Sequence, residues 1–495
     1  MRPRLLTCLR KLNWRNRVWA LLLIFAMTAI ASSAQTLTTL NSFDNTNGAY
    51  PFAGLVQATD GNFYGTTYNG GSANEGVVFK ITPEGTLTTQ YNFCSKTNCT
   101  AGALPYAGLI QDTNGILYGT TVSGVEDERG TAFKITLGGT LTTLYDFCSQ
   151  SGCTDGSDPF AGLVQASNGN LYGVTVFGGK NSYGSIFELT LAGKLTTLYS
   201  FCPASGCTDG AEPYAALVQA SNGKFYGTTQ TGGANKNSAC AVEGCGTVFE
   251  FSGSGAPTTL YSFCAKSGCA DGQSPNGALI IGTDGNLYGT TLAGGNSSND
   301  GTVFKITTTG KLTTLHSFCP ETGCADGEVP FAGLVQATDG NLYGTTVSGG
   351  LGQGTIFKIT TSGTLTTLYD FCQKTDCADG QGPNGGLIQG TNGDFYGTTF
   401  YGGAHGYGSV YSLSEGLGPF VITRPTSGKV GAAVTILGTD LTGATSVTFN
   451  GKAATFTVVS SSEITTKVPT GATTGEVEVK TPSGTLTSNV EFQVP

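Results

Sequence analysis

The sequence predicts an all-β chain, a seven-bladed β-propeller followed by a small immunoglobulin-like β-sandwich, and three observations predict it. The hexapeptide Asn286-Leu287-Tyr288-Gly289-Thr290-Thr291 recurs seven times with small changes, its tyrosines being Tyr64, Tyr118, Tyr172, Tyr226, Tyr288, Tyr343 and Tyr396. Their spacings of 54, 54, 54, 62, 55 and 53 residues suit propeller blades rather than helical solenoids. The second observation is glycine: 76 of 495 residues, without a triplet period, mark many tight turns, and few stretches carry helical periodicity. The third is a change of texture after Glu415, where short strand-like runs alternate with turns over the last part of the chain.

Residues 1–34 are set apart as a secretory signal peptide. Arg2, Arg4, Arg10, Lys11, Arg15 and Arg17 form a basic n-region with no acidic residue, and residues 20–31 form an apolar run broken only by Thr28. That run is too short to span a bilayer comfortably, and small residues offer cleavage after Ala31 or Ala34. An uncut signal-anchor is the alternative. Both tryptophans, Trp14 and Trp19, fall in this segment.

The blades follow over residues 35–415. In the fifth unit an apolar run at 278–281 (strand A) is closed by Asp284-Gly285, a strong hairpin signal. Leu287-Tyr288-Gly289-Thr290-Thr291 is strand B, residues 302–307 strand C and residues 312–318 strand D. The glycine after each strand-B tyrosine is expected to admit the backbone of the neighbouring blade. The chain opens on a D-like strand at 37–43 and leaves the repeats on a C-like strand at 409–413. The first strand is therefore expected to complete blade seven and to remove an exposed edge.

Residues 416–418 are a linker and 419–495 the sandwich. Its expected strands are residues 421–425, 434–438, a hairpin of 447–449 with 454–458 across Asn450-Gly451, then 464–469 and 475–479.

Without the first 34 residues, 18 basic and 33 acidic side chains remain, a net charge of −15. That balance excludes nucleic acid and anionic lipid as natural partners, and no membrane span is expected in the mature chain. Besides Cys8, the cysteines form seven pairs five residues apart: Cys94/Cys99, Cys148/Cys153, Cys202/Cys207, Cys240/Cys245, Cys264/Cys269, Cys319/Cys324 and Cys372/Cys377. Behind an export signal such local pairs read as disulfides that stiffen loops, and they place the protein outside the cytoplasm. Only two histidines, His316 and His405, and no Cys-x-x-Cys are present, which argues against zinc.

Both parts resemble known families. Ala-Gly-Leu-Val-Gln-Ala at 53–58, 161–166 and 332–337, with Asn-Leu-Tyr-Gly-Thr-Thr, resembles the GloVer tandem repeat of exported bacterial proteins with varied C-terminal sorting tails. The resemblance covers residues 36–415. The block from Pro419, with Pro425, Ser427-Gly428, Gly431, Val434-Thr435-Ile436, Gly438 and Pro469, resembles an IPT/TIG immunoglobulin-like domain. The second family includes ligand-contacting and spacer modules, so either role is implied. The first implies no activity, and its tail is not recognisable at Val494-Pro495.

An up-and-down meander puts the A–B and C–D turns on one face, here called lower, and the B–C and D–A loops on the upper face. Six cystine loops are D–A loops and the seventh lies in the blade-four insertion, so the upper face is the expected working surface and the sandwich is expected below. Asp155, Asp209, Asp271, Asp326 and Asp379 each precede a glycine in these loops. They read either as an acidic ring for Ca²⁺ or a cationic partner, or as turn residues accepting local N–H bonds. Tyr68, Phe177, Tyr183, Phe400, Tyr401 and Tyr407, with His405, mark the variable B–C loops. Tyr401, His405, Tyr407 and Tyr68 are expected to form one patch able to stack on sugar rings, ordinary loop packing being the alternative.

Catalysis has little support: there is no Gly-x-Ser-x-Gly, and His405 lacks an identifiable partner. The leading reading is a non-catalytic secreted or cell-surface protein binding a glycan or protein, with no resident cofactor beyond a candidate Ca²⁺. A carbohydrate-active lyase or hydrolase is the second reading, and a structural envelope or adhesion protein the third.

Overall fold

The computed structural model describes residues 35–95, 99–124, 129–237, 240 and 244–495. The signal-peptide reading of residues 1–34 lies outside them. Blade five shows the repeating unit: strand A Ile280–Ile281, B Leu287–Thr291, C Thr302–Ile306 and D Leu312–Ser317, antiparallel and hydrogen-bonded in that order. Six sheets share this order. In the seventh, Thr36–Ser42 pairs antiparallel with Ser409–Ser414, from Thr36 opposite Ser414 to Ser42 opposite Ser409. The N-terminal strand therefore completes blade seven, and the ring has no free edge at its seam.

Every strand B is buried at all five positions because both of its faces lie against neighbouring blades. Each C–D pairing is interrupted by a bulge, as between Val303 and Phe304, which sharpens the local twist. At every blade junction the aromatic that follows strand D meets an aromatic of the next strand C. Phe93–Phe133, Phe263–Phe304 and Phe371–Tyr411 are examples, and Phe43–Phe79 closes the circle. All are edge-to-face at 5.1–5.4 Å, each such pair adding about 0.5–1.5 kcal/mol beyond its area burial.

Polar latches run around the same ring. The side-chain oxygen of Gln111 accepts from Thr59 N of the preceding blade, and Gln165, Gln219, Gln336, Gln389 and Gln57 do likewise. Blade five carries Ile281 at this place, so its junction with blade four lacks the latch. There the Gln230 amide donates to Asn276 instead, and Asn237 of the insertion reaches Gln273.

Two expectations about the blades are corrected. The glycine of strand B does not admit a neighbouring backbone: a Cβ on Gly289 would lie 2.7 Å from Phe304 Cζ and 2.8 Å from Leu279 Cδ2, both in its own blade. The glycine makes room for the aromatic that faces it across the ladder. Backbones meet instead at the axis, before strand A, where a Cβ on Gly54 would lie 2.5 Å from the Gly386 carbonyl oxygen. The ladder of strand A is two residues long instead of the four expected.

The C-terminal part is a sandwich of two four-stranded sheets. One is Ile422–Arg424, Ala433–Leu437, Glu463–Lys467 and Phe456–Val458; the other is Lys452–Ala453, Ser446–Phe449, Val477–Thr481 and Gly484–Thr487. Val434, Ile436, Phe449, Ile464, Val477 and Phe492 fill the space between them. The hairpin expected to include 454–458 stops at Ala453. Phe456–Val458 crosses to pair with Glu463–Lys467 in the facing sheet.

The sandwich sits under the lower face. Ser462 Oγ donates to the Thr59 carbonyl at 2.8 Å, Thr439 and Thr391 hydroxyls meet at 2.7 Å, and Phe420 N donates to Thr391 O at 3.0 Å. The propeller partners all lie in A–B turns, the face that the strand order assigns. No helix among the described residues is long and apolar enough to cross a membrane.

Candidate binding face

The upper face is built from D–A loops carrying cystines. All seven expected pairs are bonded: Cys94–Cys99, Cys148–Cys153, Cys202–Cys207, Cys240–Cys245, Cys264–Cys269, Cys319–Cys324 and Cys372–Cys377. The cysteines differ in exposure along these loops. Cys207 and Cys269 are buried and Cys153 is half-buried. Cys153 and Cys269 moreover close short 3₁₀ turns, Ser151–Cys153 and Ser267–Cys269.

The backbone is left-handed at the second cysteine, with φ of 50° at Cys153, 46° at Cys207 and 51° at Cys269. It turns each carbonyl inward, where it accepts two backbone N–H bonds. Cys153 O takes Gly156 N and Gly179 N, both at 2.9 Å; Cys207 O takes Gly210 N at 2.9 Å and Gly233 N at 2.8 Å; Cys269 O takes Gly272 N at 2.8 Å and Gly295 N at 2.9 Å. The second donor in each case belongs to the B–C loop of the following blade, so the backbone ties the two upper loops together beside the cystine. These cysteines are therefore supports of the face rather than its contact surface.

The five aspartates of the D–A loops also turn inward. Asp271 accepts from the Tyr261 hydroxyl at 2.7 Å, Ala265 N at 2.9 Å and Lys266 N at 3.1 Å, and Asp379 and Asp155 repeat the arrangement. Asp209 accepts from Tyr199 and Cys202 N. Burial, then the hydrogen bond to Asp271, raises the Tyr261 hydroxyl above its ordinary value. No cluster of three potential ligand atoms among the described residues contains any of these aspartates. The hydrogen bonds of each aspartate lie within its own strand D and the loop that follows.

In blade five the tyrosine of this arrangement is replaced. His316 Nε2 lies 2.7 Å from Asp326 Oδ2, a pairing the spacing of ten residues would have signalled. Beside it, Asp300 and Glu328 approach within 4.8 Å of one another and of the Cys319 and Cys324 sulfurs. Those sulfurs share a disulfide and are not thiolate ligands. Burial raises both carboxyls above their ordinary values, helped by the charge of Asp326 on Asp300 and by the charges of Asp300 and Asp326 on Glu328.

Aromatic side chains converge near the axis. Tyr50 lies 5.5 Å from Tyr401 and 5.8 Å from Tyr407; Phe52 lies 5.9 Å from Tyr68, 4.3 Å from Tyr106 and 4.5 Å from Phe400, centroid to centroid. Phe52 also reaches Phe331 of blade six at 6.1 Å, and Tyr106 continues the set through Phe160 to Tyr214. Tyr401, Tyr407 and Tyr68 are therefore brought together, but through Tyr50 and Phe52, which the loop pattern does not single out. A signal was present: Pro51-Phe52, Pro105-Tyr106, Pro159-Phe160, Pro213-Tyr214 and Pro330-Phe331 repeat immediately before strand A. Tyr401 remains 46% exposed, so this cluster keeps an open aromatic face.

The remaining candidates of the B–C loops lie elsewhere. Phe177 projects from blade three, and Tyr183 packs against the core between blades three and four. His405 is exposed and makes none of the ring contacts of this cluster.

These features define a repeat-built propeller with a cystine-braced upper face and an immunoglobulin-like domain beneath. Residues 23–154, 149–351 and 321–436 match the Gloeobacter/Verrucomicrobia repeat, and the chain belongs to that repeat family. Residues 421–494 match the IPT/TIG domain. No curated protein matches the sequence. Among solved structures, the extracellular domain of a one component system, BT4673, from B. thetaiotaomicron is 11% identical over 91% of this chain and 51% of that one, with a TM-score of 0.48. The chain thus spans about half the length of that protein. A fungal alcohol oxidase of the AA5 family, in complex with copper, is 12% identical over 93% and 98% with a TM-score of 0.49. A Thermus thermophilus oxidoreductase is 14% identical over 77% and 100% with a TM-score of 0.38.

Proposed function

We propose that this protein is a non-catalytic, extracytoplasmic binding scaffold that presents its upper face to a glycan. The observation that carries the reading is the open aromatic cluster of Tyr50, Phe52, Tyr68, Tyr401 and Tyr407, held among the cystine loops while the sandwich covers part of the opposite face. Tyrosine combines a flat apolar ring for stacking with a hydroxyl for hydrogen bonding. Seven disulfides fit an oxidising compartment. The IPT/TIG domain acts as a spacer, and the candidate Ca²⁺ plays no part in this reading.

A glycan array with the full chain, followed by titration of the best hit, tests it. Tyr401→Ala and Tyr68→Ala are expected to weaken binding about tenfold each, the loss of one stacked ring. Undiminished affinity in both variants would remove the aromatic cluster as the site.

A hydrolase or lyase is the second reading, favoured by the Asp300–Glu328 approach beside His316 and Asp326. An oxygen of each carboxyl lies within 4.8 Å of the other, and two such neighbouring carboxyls can share the roles of nucleophile and acid–base residue. Turnover of a polysaccharide that disappears in Glu328→Gln would promote this reading over binding alone.

A further inference from the structure

A cavity of about 790 Å³ opens beneath the ring, between the A–B turns of blades two to four and the first sheet of the sandwich. Its size falls within the range of small-molecule sites. Aliphatic side chains of the A strands form one wall, and the amides of Gln165 and Gln219 and the hydroxyls of Ser167 and Thr435 stand around it. Arg424 is the single charged residue of the lining.

Arg424 ends the first strand of the sandwich, and its guanidinium reaches up into the propeller. It donates to the Gln57 carbonyl at 2.8 Å and to the side-chain oxygen of Gln111. Both acceptors are neutral, and no ion pair among the described residues involves it. Desolvation without a compensating carboxylate pulls the guanidinium down to about 10. A charge half-buried against neutral partners, without a countercharge, is costly to keep. Here it is kept in a chain whose 33 acidic side chains outnumber its 24 basic ones, none of the acidic ones placed in the lining. Two of the five guanidinium donors are used by Gln57 and Gln111, and the planar fork suits a carboxylate.

We propose that this cavity binds a small hydroxylated carboxylate of sugar size, a uronic acid or short uronate, with its carboxylate on Arg424 and its hydroxyls on the amide and hydroxyl lining. The aliphatic wall takes the apolar face of the ring. This site is separate from the upper aromatic cluster and does not rest on it.

Calorimetric titration of the full chain with galacturonate tests the proposal, with galactose as the neutral control. Galacturonate is expected to bind and galactose not to. Arg424→Gln is expected to weaken galacturonate about tenfold or more, the loss of a charge-assisted bidentate contact. Ser167→Trp places a bulky ring on the cavity lining and is expected to weaken galacturonate binding. Tyr401→Ala is expected to leave the galacturonate titration unchanged, which separates this site from the upper one. Absence of galacturonate binding, equal affinity for galactose, or full affinity in Ser167→Trp would each overturn the assignment. The last criterion holds even if Arg424→Gln fails to fold.

Discussion

His316 stands where blades two, three, four and six carry Tyr145, Tyr199, Tyr261 and Tyr369, and it meets Asp326 as those tyrosines meet their aspartates. The role is a donor to a loop carboxylate, so His316→Tyr should keep stability within about 0.5 kcal/mol. His316→Phe should lose about 1–2 kcal/mol, because the carboxylate loses a donor in a half-buried place. Urea denaturation checks both. Another carboxylate carries a pH signature. Burial pushes Asp339 up, but hydrogen bonds from Lys358, Asn341 and Tyr343 outweigh it and hold the carboxyl below its ordinary value. A folded value below the unfolded one contributes stability above about pH 3.9 that is lost as pH falls through the folded value. Asp339→Asn should therefore lower Tm clearly at about pH 7 and much less at about pH 2. An equal drop at both would show that the ion pair contributes no charge-dependent stability.

Strands B and C form the element on which each blade depends. Gly289 is matched to Phe304 across the ladder, and an added methyl would press on the ring and on Leu279. Gly289→Ala should cost about 1–3 kcal/mol by overpacking, whereas Gly285→Ala, where nothing lies within 4 Å, tests only the turn conformation. A larger loss in the second variant than in the first would refute the packing account. The cystines act at this scale too. Each joins residues five apart, so replacing Cys372 and Cys377 by serine should cost about 2 kcal/mol at most. The loop remains tied by Asp379 through the Tyr369 hydroxyl and two backbone amides, and by the Cys377 carbonyl, which accepts from Gly380 N and Gly403 N. Limited proteolysis of the upper face should therefore change more than global stability.

Closure belongs to the whole molecule. Deleting residues 35–43 removes the outer strand of blade seven and Phe43, which packs on Phe79 of blade one. The expected result is a loss of about 3 kcal/mol or more and a broadened unfolding transition. An unchanged, fully cooperative curve would show that the ring does not depend on its seam. The junction between blades four and five, without the glutamine latch, is the expected place for early opening, and hydrogen exchange there should exceed that at the other junctions.

Local chemistry determined much of this protein directly from its sequence. Blade number, the closing strand and the cystine pairs follow from period, strand count and spacing, because each depends on residues close together in the chain or on a simple tally. What needed the tertiary structure were meetings between residues far apart in sequence. Gln111 with Thr59, Phe52 with Phe331, and Arg424 with Gln57 lie in different blades or domains. The inward turn of Cys153, Cys207 and Cys269 escaped the spacing for a related reason, since one donor to each carbonyl comes from a loop more than twenty residues further on. The role of the strand B glycine also needed the tertiary structure, because the ring it accommodates is identified only by register across the ladder. The aromatic cluster and the lower cavity exist only once seven similar units are bent into a circle, which brings one loop of each unit to a common axis.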